Sequence, residues 1–210
     1  DVIAPFYWNI AENMDMLIMP SYIQERGSKI ETNYRYLNKG YTGSVYFTYL
    51  DDDSKYKDRV RIQGDTRSNN DRYNFYVRHE QTFKNNIWID LLYDKFSDKD
   101  YFDDFGTGIS RTSTVYKTRH AKLNYYINGW DIRSRFIGYQ IFDKQLNLHA
   151  KPYDILPELN VRKRWDLSFL NYDLSTSLSK WNHISKVDGT RADIQTGVDR
   201  TFLMKGLSIT

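Results

Sequence analysis

Segments of about ten residues with strict apolar/polar alternation recur from end to end of the chain, whereas capped amphipathic helical patterns are almost absent. The clearest is Asn86 to Phe96, where Ile87, Ile89, Leu91 and Tyr93 point one way, and Asp90 and Asp94 point the other with Trp88 and Leu92 between them. The same alternation sets Val45, Phe47 and Tyr49 against Ser44, Tyr46 and Thr48, and Tyr73, Phe75 and Val77 against Arg72, Asn74, Tyr76 and Arg78. Leu123, Tyr125 and Ile127 likewise oppose Lys122, Asn124 and Asn128. One face is apolar and aromatic; the other carries charge.

The pattern predicts about twelve strands. They run Val2 to Ile10, Asp15 to Gln24, Ser28 to Leu37, Gly43 to Leu50, Lys57 to Thr66, Arg72 to Phe83 and Asn86 to Phe96, then Ser113 to Asn128, Trp130 to Phe142, Pro152 to Trp165, Asp166 to Trp181 and Arg191 to Lys205. Arg26-Gly27, Lys39-Gly40, Asn128-Gly129 and Asp188-Gly189 fall where a hairpin needs positive φ. No linker interrupts the series, so residues 1–210 are read as a single partial barrel domain, an antiparallel meander in which each strand pairs with its sequence neighbours.

Connection lengths alternate in the later part of the chain: tight at Lys84-Asn85, Gly129 and Trp165-Asp166, long at Ser97 to Thr112, Asp143 to Lys151 and Asn182 to Thr190. Outer-membrane barrels combine short periplasmic turns with longer outer loops. This parity places Ser97 to Thr112 outside the cell and, counting back over the predicted strands, the turn Ala11 to Met14 outside too, so that the first strand rises from the periplasm.

Composition sharpens the choice between a membrane barrel and a soluble sandwich or propeller. Apolar residues total 40%, with 18 Tyr and 5 Trp, less than two buried sheet faces demand and more aromatic than they need. No apolar run approaches the roughly eighteen residues of a membrane helix. The mean hydropathy of −0.71 fits a barrel whose lumen-facing residues offset its lipid-facing ones. A net charge of +3, evenly spread, gives no footprint for nucleic acid. The absence of Cys removes disulfides and thiolate sites from this segment. The chain opens on Asp1-Val2-Ile3-Ala4-Pro5 without a signal peptide and is read as a mature fragment.

Candidate chemistry is sparse. Asp51-Asp52-Asp53 and the acidic run from Asp98 to Asp104 lack calcium-loop spacing and read as solvated turns. Of His79, His120, His149 and His183, only His183 lies close to a hydroxyl, at Ser185, and there is no nucleophile elbow, phosphate loop or zinc motif. No catalytic site and no cofactor is expected. The basic residues Lys29, Arg35, Arg59, Arg61, Arg72, Arg78 and Lys122 fall on the polar face, the lumen of a barrel. They either bind phosphorylated sugars through charge-assisted hydrogen bonds or balance carboxylates such as Glu31, Glu80 and Asp90.

Particular residues go beyond generic patterning. The opening Pro5-Phe6-Tyr7-Trp8-Asn9-Ile10-Ala11-Glu12-Asn13-Met14-Asp15, with Pro20-Ser21-Tyr22, Arg26-Gly27 and Tyr34-Arg35-Tyr36-Leu37, resembles the start of the barrel in the LptD (organic solvent tolerance) family of lipopolysaccharide-assembly proteins. Ser97 to Phe105, with Asp98, Tyr101, Phe102, Asp104 and Phe105, resembles that family's long outer-loop motif, and Pro152 to Leu159 its later P-Y-x-x-L-P-x-L strand. The resemblance implies an outer-membrane barrel of about 26 strands, of which this would be roughly the first half. It also implies a preceding periplasmic jellyroll reached by a lipopolysaccharide-transport bridge, an LptE-type lipoprotein plug, and release of lipopolysaccharide sideways into the outer leaflet of a Gram-negative cell, without covalent chemistry. A passive pore or barrel hydrolase is the rival. By the same resemblance Pro5 and Pro20 belong to the lateral gate, and physically a strand proline removes a ladder donor, as a seam that must part would require.

Overall fold

The computed structural model describes residues 1–62, 70–84, 86–106, 115–142 and 148–200, and the backbone of 202–204 and 207–209. The strands are β1 (Val2–Ile3), β2 (Phe6–Ala11), β3 (Met14–Ile23), β4 (Gly27–Asn38), β5 (Tyr41–Leu50), β6 (Arg72–Phe83), β7 (Ile87–Phe96), β8 (Tyr116–Ile127), β9 (Trp130–Ile141), β10 (Asp154–Asp166), β11 (Asn171–Asn182), β12 (Gly189–Asp199), β13 (Phe202–Met204) and β14 (Leu207–Ile209). Two helices interrupt them, α1 (Ser54–Ile62) and α2 (Tyr101–Phe105). Twelve strands form one sheet in the order β1-β3-β4-β5-β6-β7-β8-β9-β10-β11-β12, with β2 also on β3, and β13–β14 is a separate hairpin. Antiparallel pairing of sequence neighbours is what alternating segments joined by tight turns produce. Asn128 and Gly129 both take positive φ, 49° and 78°, as a two-residue hairpin turn demands. Gly189 does not, and opens β12 instead.

The chain packs as two compact units, residues 1–81, 91–119 and 139–147 in the first and 82–90, 120–138 and 148–210 in the second. In the first, the register fixes the faces, because directly paired residues share one. Val45, Phe47 and Tyr49 lie opposite Val77, Phe75 and Tyr73, and Ser44, Thr48 and Leu50 opposite Arg78, Asn74 and Arg72. The apolar face carries a row of rings, Phe47 to Phe75 at 6.4 Å and Phe75 to Tyr93 at 6.0 Å. In the second unit, Trp130, Ile132 and Ser134 pair with Lys163, Val161 and Leu159 on one face, and Asp131, Arg133 and Arg135 with Arg162, Asn160 and Glu158 on the other. Ile194 and Val198, on the apolar face with Leu178, are 73% and 66% exposed, a surface that water would not leave uncovered.

The segment expected as a strand from Lys57 to Thr66 is instead helix α1 as far as Ile62; residues 63–66 lie outside the described ones. Asp53 caps it, accepting from the Tyr56 N–H at 3.2 Å, and Tyr56 and Val60, one turn apart, supply its buried side. Arg59 and Arg61 therefore sit on a helix, not on the polar face of a strand.

Losing one strand changes the parity. Arg26, in the turn between β3 and β4, bonds both Asp53, before α1, and Asp104, in α2. These connections thus share one end of the first unit, and the turn Ala11 to Met14 lies at the opposite end of β3. The expectation that Ala11–Met14 and Ser97–Thr112 occupy the same side is corrected: the extra strand counted at Lys57–Thr66 had inverted the count. Residues 107–112 of the longer loop lie outside the described ones.

Candidate functional site

On the polar face the predicted basic residues meet carboxylates. Lys29 pairs with Glu31, and Arg78 with Glu80. Arg35 forms a fork with Asp15 at 2.9 and 2.8 Å, directly across the β3–β4 ladder. In the second unit Lys122 and His120 both reach Asp90 Oδ2, at 3.0 and 2.9 Å, and Arg135 meets Glu158 at 2.8 Å. A cavity of about 280 Å³ opens on this face, lined by Lys122, Asn124, Arg133, Arg135, Asn160 and Arg162 among others. The partners Glu31, Glu80 and Asp90 are the carboxylates named for charge balance, so these cations are held in place by ion pairs rather than left as mobile charges.

At the end of the first unit that carries α1 and α2 the polar face changes character. Arg72, the first residue of β6, is fully buried and is the hub of a knot. Its Nε and Nη2 fork onto Asp98 at 3.0 and 2.9 Å, and its Nη1 reaches Asp104 and, at 3.4 Å, Asp53. Arg26 adds Asp53 at 2.6 Å and Asp104 at 3.0 Å, and Arg59 forks onto Asp104 at 3.1 and 2.8 Å. The Arg72 guanidinium lies 4.4 Å from the Tyr56 ring centre and 5.0 Å from that of Phe105. Beside it Phe96, Tyr101 and Phe142 form a buried cluster with Phe102 and Phe105 against them. Burial alone would raise the Asp104 carboxyl, but the bonds from Arg59, Arg72 and Arg26 outweigh it and hold it well below the usual carboxylate range. Burial pushes the Tyr101 phenol up.

The acidic runs are therefore not solvated turns where it matters: Asp53 is completely buried and Asp98 nearly so. Of the loop motif, Asp98 and Asp104 are ion-pair ligands while Tyr101, Phe102 and Phe105 pack beneath them. The sequence pattern marks Arg26 only as a turn residue and Asp53 only as part of a solvated acidic run, so their role in the knot was missed; the available signal was Asp53-Ser54 ahead of Tyr56 and Val60 at helical spacing.

The prolines leave a gap in the ladder. Val2, Ile3 and Phe6 face Tyr22, Ser21 and Ile18, so the register runs unbroken through residues 4 and 5, and only the pairing bonds lapse. The Ala4 N–H donates to the Pro20 carbonyl at 3.0 Å, and the reciprocal bond is missing because Pro20 has no N–H. Pro5, one residue on, turns its donorless nitrogen to the opposite side, the sheet edge that no described strand pairs.

His183 is buried, donates from Nε2 to the Lys151 carbonyl at 2.9 Å, and accepts at Nδ1 from the Ser185 and Lys186 N–H groups at 3.0 and 2.9 Å. With Nδ1 so occupied it cannot serve as base for the Ser185 hydroxyl, 3.3 Å away. It is a clasp for the loop after β11, and the hydrolase reading loses its best residue.

The family model described as LPS transport system D, LptD, matches residues 70–210. The chain belongs to the LptD family. Among curated LptD relatives, each described as an LPS-assembly protein, that of Nitrosococcus oceani is 33% identical over 81% of this chain and 22% of its own length. That of Vibrio vulnificus strain YJ016 is 28% identical over 94% of this chain and 24% of its own, and that of Haemophilus influenzae strain KW20 31% over 87% and 23%. The chain thus spans about a quarter of the length of these relatives. The matched LptD span holds Arg72, Arg78, Lys122 and α2, while Pro5, Pro20, Lys29, Arg35, Arg59 and Arg61 precede it.

Proposed function

We propose that residues 1–210 are one partial barrel domain at the start of an outer-membrane LptD barrel, that the barrel passes lipopolysaccharide to the outer leaflet of a Gram-negative cell, and that it opens along the edge of β1 and β2. The observation that carries this reading is the ladder gap at the free edge of a chain whose relatives are named as LPS-assembly proteins. The apolar face meets lipid and the polar face the lumen, where ion-paired cations such as Lys29, Arg35, Arg78 and Lys122 offer N–H donors to phosphorylated sugars without trapping them. The partners are lipopolysaccharide, an LptE-type lipoprotein in the lumen, and a periplasmic transport bridge received by a jellyroll that precedes the barrel.

Chain order also sets the orientation. A jellyroll before Asp1 sends the first strand in from the periplasm, so the end bearing the Arg72 knot faces the periplasm and the turns at 12–13 and 39–40 face outward. Domain order is a covalent constraint and takes precedence over the length of connections, which is a tendency.

The two prolines have separate roles. Pro5 removes a donor from the seam itself, and Pro20 removes one from the hairpin that must bend away when the seam parts. Restoring either donor adds a backbone bond of about 1 kcal/mol, a severalfold shift toward the closed wall. Introduced singly and together into the full-length protein, Pro5→Ala and Pro20→Ala should lower lipopolysaccharide at the cell surface at equal protein level, the double variant most. Unchanged delivery and unchanged antibiotic permeability in the double variant would reject the gate.

A further inference from the structure

On the apolar face of the second unit, near the turns at 128–129 and 167–170, one cation stands among aromatics. Lys163 of β10 lies directly opposite Trp130 of β9 and Leu174 of β11, and Trp165, two residues on, lies opposite Tyr172. The ammonium is 4.8 Å from the Trp130 ring centre and 5.1 Å from that of Trp165. The indoles meet edge to face at 5.7 Å, and Trp165 meets Tyr172 at 5.4 Å.

Most neighbouring cations on the opposite face are neutralised, Arg133 by Asp131, Arg135 by Glu158, and Arg164 by Asp166, Asp173 and Asp199, with Arg162 the exception among those described. Among the described residues Lys163 has no carboxylate within ion-pair distance. Its apolar-face neighbours along the strands include Val161, Ile132 and Leu174, and the hydroxyls diagonal to it, on Tyr172 and Thr176, carry no charge to neutralise it. Two indole faces stabilise the ammonium without neutralising it, and leave it N–H groups to donate to an anion. Tryptophan and lysine together at a strand end mark the height of lipid headgroups, where the anion within reach is a phosphate.

We propose that Trp130, Lys163 and Trp165 form a binding site for the phosphate of an anionic bilayer lipid, with the ammonium donating to phosphate oxygens and the indoles holding it at headgroup height. The site rests on the reading that the apolar face meets lipid. It makes this stretch of wall selective for anionic over zwitterionic headgroups, where an aromatic belt by itself would anchor the wall without preference.

The test uses the full-length protein in liposomes containing equal fractions of photoreactive phosphatidylglycerol and photoreactive phosphatidylcholine, with cross-links mapped to peptides. Wild type should cross-link phosphatidylglycerol at β9 and β10 at least threefold more than phosphatidylcholine. Lys163→Gln should bring the two to parity. Lys180→Gln, which removes a charge from the same face at the other end of β11, should leave the preference intact. Parity in wild type, a preference that survives Lys163→Gln, or equal loss in both variants would overturn the headgroup site while leaving the lipid-facing assignment in place. Failure of both lipids to label β9 and β10 would remove that assignment and the site with it.

Discussion

Arg72 shows how much one residue's surroundings can differ from what alternation suggests. Its position on the charged face is legible from the period-2 pattern, but the pattern cannot say that three carboxylates from two connections converge on it, because those contacts span up to 32 positions of chain. Removing a buried partner leaves uncompensated charge, so Arg72→Met in the full-length protein should cost about 3–5 kcal/mol, seen as a lower thermal midpoint of the folded barrel. Arg72→Lys should recover only part, since a point charge cannot fork onto Asp98 and reach Asp104 together. The knot also has a defined pH dependence. Because the folded Asp104 pKa is depressed, its stabilisation is fully present above the ordinary carboxylate value near ~4 and is lost only as pH falls below that toward the folded value. The thermal-midpoint difference between wild type and Asp104→Asn should therefore hold steady from about pH 7 to about pH 5. It should shrink only in stronger acid; a gap that closes within the milder range would contradict the depressed value.

At the scale of elements, the strands were legible because each buries one face, which forces the two-residue period; most ends moved by only a few residues, but β11 begins at Asn171 rather than Asp166, and β12 ends at Asp199 rather than Lys205, with Phe202–Met204 in a separate hairpin. Helix α1 was not, because Lys57-Asp58-Arg59-Val60-Arg61-Ile62 also alternates at its end, and a nine-residue helix is too short for its period to dominate. The consequence reached beyond that element, since one strand too many inverts every side assignment before it. A direct check follows from the corrected count. In intact cells a membrane-impermeant maleimide should label Lys39→Cys of the full-length protein, whereas Gln24→Cys should react only once the outer membrane is permeabilised. The reverse pattern would put the Arg72 knot outside the cell.

For the whole molecule, the faces, the order of strands and the family were all within reach of the sequence, while the ladder gap became specific only once the register showed which way each proline's missing donor points. Passage of lipopolysaccharide along the lumen requires that a different lipid touch each face. Photoreactive residues placed in the full-length protein at Asn33 and Ser44, on the polar face, and at Thr32 and Val45, diagonal neighbours on the apolar face, sample both within one ladder. In growing cells the first pair should cross-link lipopolysaccharide in transit and the second phospholipid or resident outer-leaflet lipid independent of transport. Transport-dependent lipopolysaccharide adducts at Thr32 and Val45, with none at Asn33 and Ser44, would contradict passage along the polar face.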